Sequence, residues 1–282
     1  MRFVCFITVL VLFNRIYAQD YSIKAGFRDL PFKSVYLAEM EGEKYKIIDS
    51  VTTNFMGNFT FKIKKNQHIG QYRLLTLPEK KSKSQEKKII LDFLFNKENI
   101  EFLTDSQAPT DSMRDVKSVE NEIYFQYVKL RNDNKYKADV LKHFLTNYPK
   151  DDDFYIKANE KYSQLQVEIN QYIDKVIKKE PKTYIARMLK MEKNILPDTK
   201  LGEEQQNEYL KIHYFDGFDF NDTSLVYSNA ITNKIVGYLG LFREKPYNRD
   251  KQEIAFIRAV DNIMKATKQN KKVYEFILDY II

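Results

Sequence analysis

The stretch GNFTFKIKK alternates apolar and polar side chains, with Phe59, Phe61 and Ile63 on one face and Thr60, Lys62 and Lys64 on the other. A period of two is that of a strand with one face buried and one in water. Similar short runs are YSIKAGF, KSVYLAEME, KYKIIDSVTT, QYRLLTL, KKIILDFLF and ENIEFLT, separated by Gly42, the 54–57 turn, Gly70, Pro78 and Asn96. About seven closely spaced strands of this kind predict a small antiparallel β-sandwich over 19–105.

From Ser106 onward the period changes and no strand-like run is expected to return. In MRDVKSVENEIYFQYVKLRND the residues Val116, Val119, Ile123, Tyr127 and Leu130 recur at three and four, the spacing of one helix face, and Ser112 with Asp115 can cap its start. A second long element over 151–179 carries Ala158, Tyr162, Leu165, Ile169, Tyr172 and Val176 in the same rhythm. The two stripes are expected to face each other in an antiparallel hairpin, with a shorter helix over KYKADVLKHFLTNY between them. Proline marks the joints: Pro149 closes one helix, Pro181 suits a first turn, and Pro197 ends TYIARMLKMEKNIL. Further helices are predicted over 203–212, 229–242, 249–268 and 271–282. The fold class is therefore α+β, a sandwich followed by an all-α region over 106–282, with no internal repeat.

The opening segment, MRFVCFITVLVLFNRIYAQD, places Arg2 before an apolar run from Phe3 to Phe13 and ends in Tyr17-Ala18-Gln19. It reads as a secretory signal peptide over 1–18, because a membrane anchor needs about 20 apolar residues and this run is shorter. Export to a periplasm or cell envelope is the expectation, with no transmembrane segment in the mature chain. The leader would take with it Cys5, the only cysteine, which excludes thiol chemistry, thiolate metal sites and Cys-His catalysis from the remainder. The formal charge is +7, of which Arg2 and Arg15 belong to the leader. The densest basic run, Lys80, Lys81, Lys83, Lys87 and Lys88, contains no aromatic residue and reads as a solvated loop rather than a nucleic-acid surface.

The richest candidate chemistry is HYFDGFDFND, residues 213–222. His213, Asp216 and Asp219 could be read as metal ligands, yet the acids fall every third position and no closing glutamate follows, unlike a calcium loop. The structural reading gives every residue work. Phe215, Phe218 and Phe220 plug a seam between helices, Gly217 supplies the turn, and Asn221 or Asp222 caps a helix starting near Thr223. The acids Asp151, Asp152 and Asp153 similarly suit the positive end of a helix.

His68, His143 and His213 lie on different elements, without a zinc-protease motif, a nucleophile elbow or a phosphate-binding glycine loop nearby. His143 reads as a helix-surface or core-edge residue. No cofactor is implied. The 20 tyrosines and 20 phenylalanines mostly fall on the apolar stripes, so they read as core, with Tyr36, Tyr45 and Tyr72 the candidates for a binding groove. The chain finishes VYEFILDYII, whose apolar face at Val273, Phe276, Ile277, Tyr280 and Ile281 is expected to need a covering partner.

Two longer stretches carry a family resemblance. VYLAEMEGEKYKIIDSVTTNFMGNFTFK resembles the β-sandwich domain of unknown function that follows the signal peptide in many bacterial envelope proteins. HYFDGFDFNDTSLVYSNAITNKIVGYL, with KKVYEFILDYII, resembles the helical domain lying between that sandwich and a thioredoxin-like domain in the same proteins. The resemblance implies an accessory region of a Gram-negative envelope thiol-disulfide oxidoreductase, a scaffold or a substrate-docking part. It also implies a thioredoxin-like domain or protein docking near Tyr280, Ile281 and Ile282. No redox residue carries over to this sequence. The alternatives are a stand-alone envelope module binding a peptide or glycan, and a metal-dependent hydrolase centred on His213, Asp216 and Asp219.

Overall fold

The computed structural model describes residues 20–77, 87–198, 201–243, 246 and 248–282. The leader with Cys5, together with Pro78, Lys80, Lys81 and Lys83, lies outside the described residues.

Among the described residues, eight strands form two four-stranded sheets. In the first, the order is Asn58–Ile63 (β4), Tyr21–Phe27 (β1), Ile100–Thr104 (β7) and Arg114–Lys117 (β8). In the second it is Lys44–Thr52 (β3), Ser34–Glu41 (β2), Gly70–Thr76 (β5) and Lys88–Phe95 (β6). The alternation read from β4 holds: Phe59, Phe61 and Ile63 point inward and meet Ile23, Phe27, Leu37, Leu74, Phe93 and Phe102 between the sheets. Packed faces of this kind bury apolar area at about 25 cal/mol per Å², the main favourable term for the fold.

Two details depart from the expected all-antiparallel sandwich. β1 and β7 run parallel, with Ile23 opposite Ile100, so the first sheet is mixed. β8 also carries the sheet past the expected change of period at Ser106, pairing Glu101 with Lys117 and Leu103 with Arg114. Val116 therefore sits on a strand packed against the sandwich core, not on a helix. Asp115, at φ 53°, interrupts any helix through this stretch. Ser112 does not cap a helix; its Oγ accepts from Asp105 N at 3.0 Å and donates to Ala108 O at 2.7 Å, closing the β7–β8 loop.

The first helix, Val119–Asn147 (α1), is capped by Ser118, whose Oγ accepts from Asn121 N at 3.1 Å. It runs unbroken for 29 residues and absorbs the separate KYKADVLKHFLTNY helix, since no glycine or proline interrupts it. It packs antiparallel against Asp153–Lys179 (α2), as the stripes implied: Tyr172 Oη donates to Ile123 O at 3.0 Å and Asn134 Nδ2 to Leu165 O at 3.2 Å. Asp152 caps α2 through Phe154 N at 2.7 Å. Then follow Tyr184–Glu192 (α3), Glu203–His213 (α4), Asn229–Gly240 (α5), Arg249–Thr267 (α6) and Lys271–Ile281 (α7). Pro181 precedes the α3 cap, Thr183, instead of occupying the first turn.

The helices form a third layer over the outside of the second sheet. Leu94 of β6 leaves the sandwich core and packs with Tyr127, Ile173, Tyr184 and Leu189. Asn121, fully buried, donates from Nδ2 to Leu94 O and accepts from Leu94 N, both at 2.8 Å, tying α1 to the sheet. The apolar face of α7 finds its cover within the chain: Val273 and Ile277 are buried with Val226, Ile231, Ile235, Ala259 and Ile263, and Phe276 lies against Gly42. Ile282 alone of that terminal run stays 95% exposed. No described helix is long and apolar enough to cross a membrane.

Candidate functional site

α4 ends at His213, and the chain then turns through the 213–222 corner. His213 Nδ1 lies 2.7 Å from Asp216 Oδ2, an exposed pair of a kind worth at most about 1 kcal/mol. Gly217 takes φ 74° with open space around it, the left-handed conformation the turn needs. Asp219 bends back on its own backbone, Oδ1 accepting from Asn221 N at 2.9 Å. Asp222 Oδ1 accepts from Ser224 N at 3.0 Å and caps the 3₁₀ helix Thr223–Tyr227, while its Oδ2 accepts from Arg187 Nε at 2.6 Å. Phe218 and Phe220 pack with centroids 4.1 Å apart and planes tilted by 40°, and Phe215 meets Tyr238 of α5 at 4.6 Å.

His213 and Asp216 are thus brought together and Asp219 is not. Among the described residues no group of three or more His, Cys, Asp or Glu side chains is arranged to hold a metal ion.

The imidazole with the densest surroundings is His68, in the turn before β5, where sequence reasoning found no signal. Its ring stacks on Tyr227 with centroids 3.7 Å apart and planes 11° off parallel. Nε2 lies 3.3 Å from Glu39 Oε2, which also accepts from Gln67 Nε2 at 2.5 Å, and Nδ1 faces Ile69 O at 3.4 Å. Tyr72 Oη donates to His68 O at 2.9 Å, and Lys272 Nζ, 4.3 Å from the centroid of the Tyr227 ring, donates to Tyr227 Oη at 2.6 Å. Two hydrogen bonds reinforce the seam: Gly42 N donates to the backbone Val226 O at 2.8 Å, and Asn229 N donates to the side-chain Oε1 of Gln71 at 3.2 Å.

The two ring nitrogens of His68 face oxygens, Nε2 toward Glu39 and Nδ1 toward Ile69 O, and the ring itself stacks on Tyr227, so the residue clamps the second sheet to the helical layer. Burial pushes the His68 pKa below the ordinary imidazole range, opposed by the Glu39 carboxylate. Burial likewise pushes the Tyr72 hydroxyl up.

A depressed histidine pKa means that the unfolded chain binds the proton first. The stability His68 contributes should then be complete above about pH 6.5 and fall away as pH drops through the lower folded-state value. In urea unfolding from pH 7.5 to 5, the wild-type chain should lose more stability than His68→Gln, in which Glu39, Tyr72, Tyr227 and Lys272 remain. Parallel pH profiles would rule out this linkage.

The other residues singled out in the sequence do not converge. His143 is exposed on α1. Tyr72 is buried in the sandwich core, Tyr36 lies under Lys87 Nζ at 4.6 Å, and Tyr45 lies beside Arg73 at 5.5 Å, with Arg73 paired to Asp92 at 2.7 Å.

Among solved structures, the chain is similar to Klebsiella pneumoniae 5-hydroxyisourate hydrolase at 17% identity, covering 32% of this chain and 89% of that one, with a TM-score of 0.21. It is also similar to the human-specific toxin intermedilysin at 14% identity, covering 36% and 24% of the respective chains, again with a TM-score of 0.21. No curated protein matches the chain in sequence. Residues 195–281, which hold the 213–222 corner, the Tyr227 side of the clamp and helices α4 to α7, match a family described as a domain of unknown function, DUF5106.

Proposed function

We propose that the chain is a non-catalytic accessory region of the bacterial envelope, a scaffold or substrate-docking part that serves a thioredoxin-like thiol-disulfide oxidoreductase. The observation that carries the reading is the clamp at His68 and Tyr227, which fastens the region matching DUF5106 to a β-sheet layer as one body suited to holding a partner in a fixed pose. In support, the described residues contain no cysteine, so thiol chemistry would have to come from a separate segment or polypeptide. Such a partner would dock at the end of α7, where Ile282 is exposed and Tyr280 and Ile281 are only partly covered.

Two measurements test the proposal on this chain. Disulfide reduction and dithiol oxidation should run at the buffer rate when the chain is the only protein present; turnover above that rate contradicts a non-catalytic role. A thioredoxin-like protein encoded beside it should be retained on the immobilised chain and released by Ile281→Asp with Ile282→Asp, and equal retention by both forms counts against docking at α7.

A further inference from the structure

A cavity of about 220 Å³ opens between the end of α3, α4 and α5, lined among others by Glu192, Asn194, Tyr214, Asn233 and Lys234. It is smaller than the roughly 300 Å³ at which sites for drug-sized ligands begin, so its occupant is small. Three charged residues line it; Lys193 is paired with Asp174 at 2.6 Å, and the other two are unusually placed. The Glu192 side chain is only 17% exposed, and its protein contacts are long: Tyr127 Oη at 3.4 Å and Arg131 Nη1 at 3.5 Å, both to Oε2. Ordinary hydrogen bonds to a carboxylate are nearer 2.7 to 2.9 Å. Oε1 accepts no bond among the described residues.

Lys234 is half-buried, with Nζ 4.5 Å above the Tyr214 ring and 3.4 Å from Lys193 O, and it forms no ion pair among the described residues. Buried ionic groups are ordinarily paired and fully hydrogen-bonded. Here a carboxylate and an ammonium line one small cavity without touching each other, each with capacity to spare.

We infer that this cavity binds a small zwitterion of the α-amino-acid type, its ammonium on Glu192 Oε1, its carboxylate on Lys234 Nζ, and its carbon skeleton against the Tyr214 ring. A simple anion would meet the Glu192 charge and a simple cation the Lys234 charge, whereas a zwitterion satisfies both. Burial shifts the two groups toward their neutral forms, Glu192 upward against the pull of Arg131 and Lys234 downward against the pull of Glu192. The same burial, with Glu192 nearby, pushes the Tyr214 hydroxyl up to about 12, so it stays a neutral wall. A bound zwitterion would favour the charged form of both groups.

Calorimetry with the full chain and glycine, L-alanine or L-serine should give a Kd of about 1 mM or tighter for at least one of them. N-acetylglycine, which lacks the ammonium, and glycinamide, which lacks the carboxylate, should each bind at least about tenfold more weakly, the loss expected of one unpaired buried charge. Lys234→Met and Glu192→Gln should each abolish the binding. The blocked ligands act on the wild-type protein, so the inference stays testable if either variant fails to fold. Absence of binding by all three amino acids at ten times that concentration overturns the assignment, as does equally tight binding of N-acetylglycinamide, which carries no charge.

Discussion

Glu120→Ala should lower the free energy of unfolding by about 3 kcal/mol, among the largest losses expected of any single polar side chain here. Glu120 sits in the first turn of α1 and is 4% exposed. Its Oε1 accepts from Tyr184 N at 2.9 Å and Asn96 Nδ2 at 2.5 Å, and its Oε2 accepts from Ile185 N at 2.7 Å. Tyr184 and Ile185 open α3, where amide donors have no partner within their own helix, and a carboxylate there also meets the positive end of the helix dipole. Hydrogen bonds to a charged group contribute about 1.5 to 3 kcal/mol each, and truncation would strand two buried N–H groups and an amide; part of this is offset because the carboxylate no longer has to be desolvated. Glu120→Gln keeps one good acceptor and should lose about half as much. Urea denaturation with an unchanged slope measures both, and a loss below about 1 kcal/mol for alanine would mean that water replaces the carboxylate at α3.

Neighbouring Asn121 ties the same turn to β6, so two consecutive side chains join three elements. None of this was legible from periodicity, which identifies the face of an element that is apolar but not what covers it. The strand alternation of β4 and the ends of α4 to α7 could be read because each depends on residues only a few positions apart. β8 could not, because Val116 and Val119 satisfy a helical spacing although Asp115, just before them, takes a left-handed φ that no helix allows.

The helical layer did leave a trace in the sequence. KKIILDFLF is almost continuously apolar, and Leu91, Phe93, Leu94 and Phe95 are all buried on β6, as in a strand covered on both sides. The 213–222 corner was legible because its turn, cap and aromatic contacts close largely within ten residues. The His68 clamp was not, because Glu39, Tyr72, Tyr227 and Lys272 come from β2, β5, the Thr223–Tyr227 turn of helix and α7, which meet only when the helical layer packs on the second sheet.

Gly70→Ala tests whether that clamp holds the layers together. A methyl group at position 70 would stand 2.6 Å from Tyr227 Cβ and 2.7 Å from Tyr227 O, distances no relaxed structure tolerates. Neither side can yield cheaply. Gly70 is held in the ladder opposite Phe95, and Tyr227 lies between Val226 and Ser228, both fully buried. The helical layer must therefore move off the sheet, pulling Tyr227 from His68 and lengthening the Gly42 to Val226 and Asn229 to Gln71 bonds. Overpacking of this kind costs about 1 to 3 kcal/mol, and contact with backbone puts this site toward the upper end.

The local signature separates a loosened seam from general destabilisation. Amide exchange at Gly42 and Asn229 should accelerate by more than a factor of ten, while the β1–β4 ladder, whose partners lie within the first sheet, keeps its protection. If all these amides accelerate together, the sheets and helices unfold as a single cooperative unit, and the clamp is one contact among many rather than the joint on which a rigid scaffold would depend.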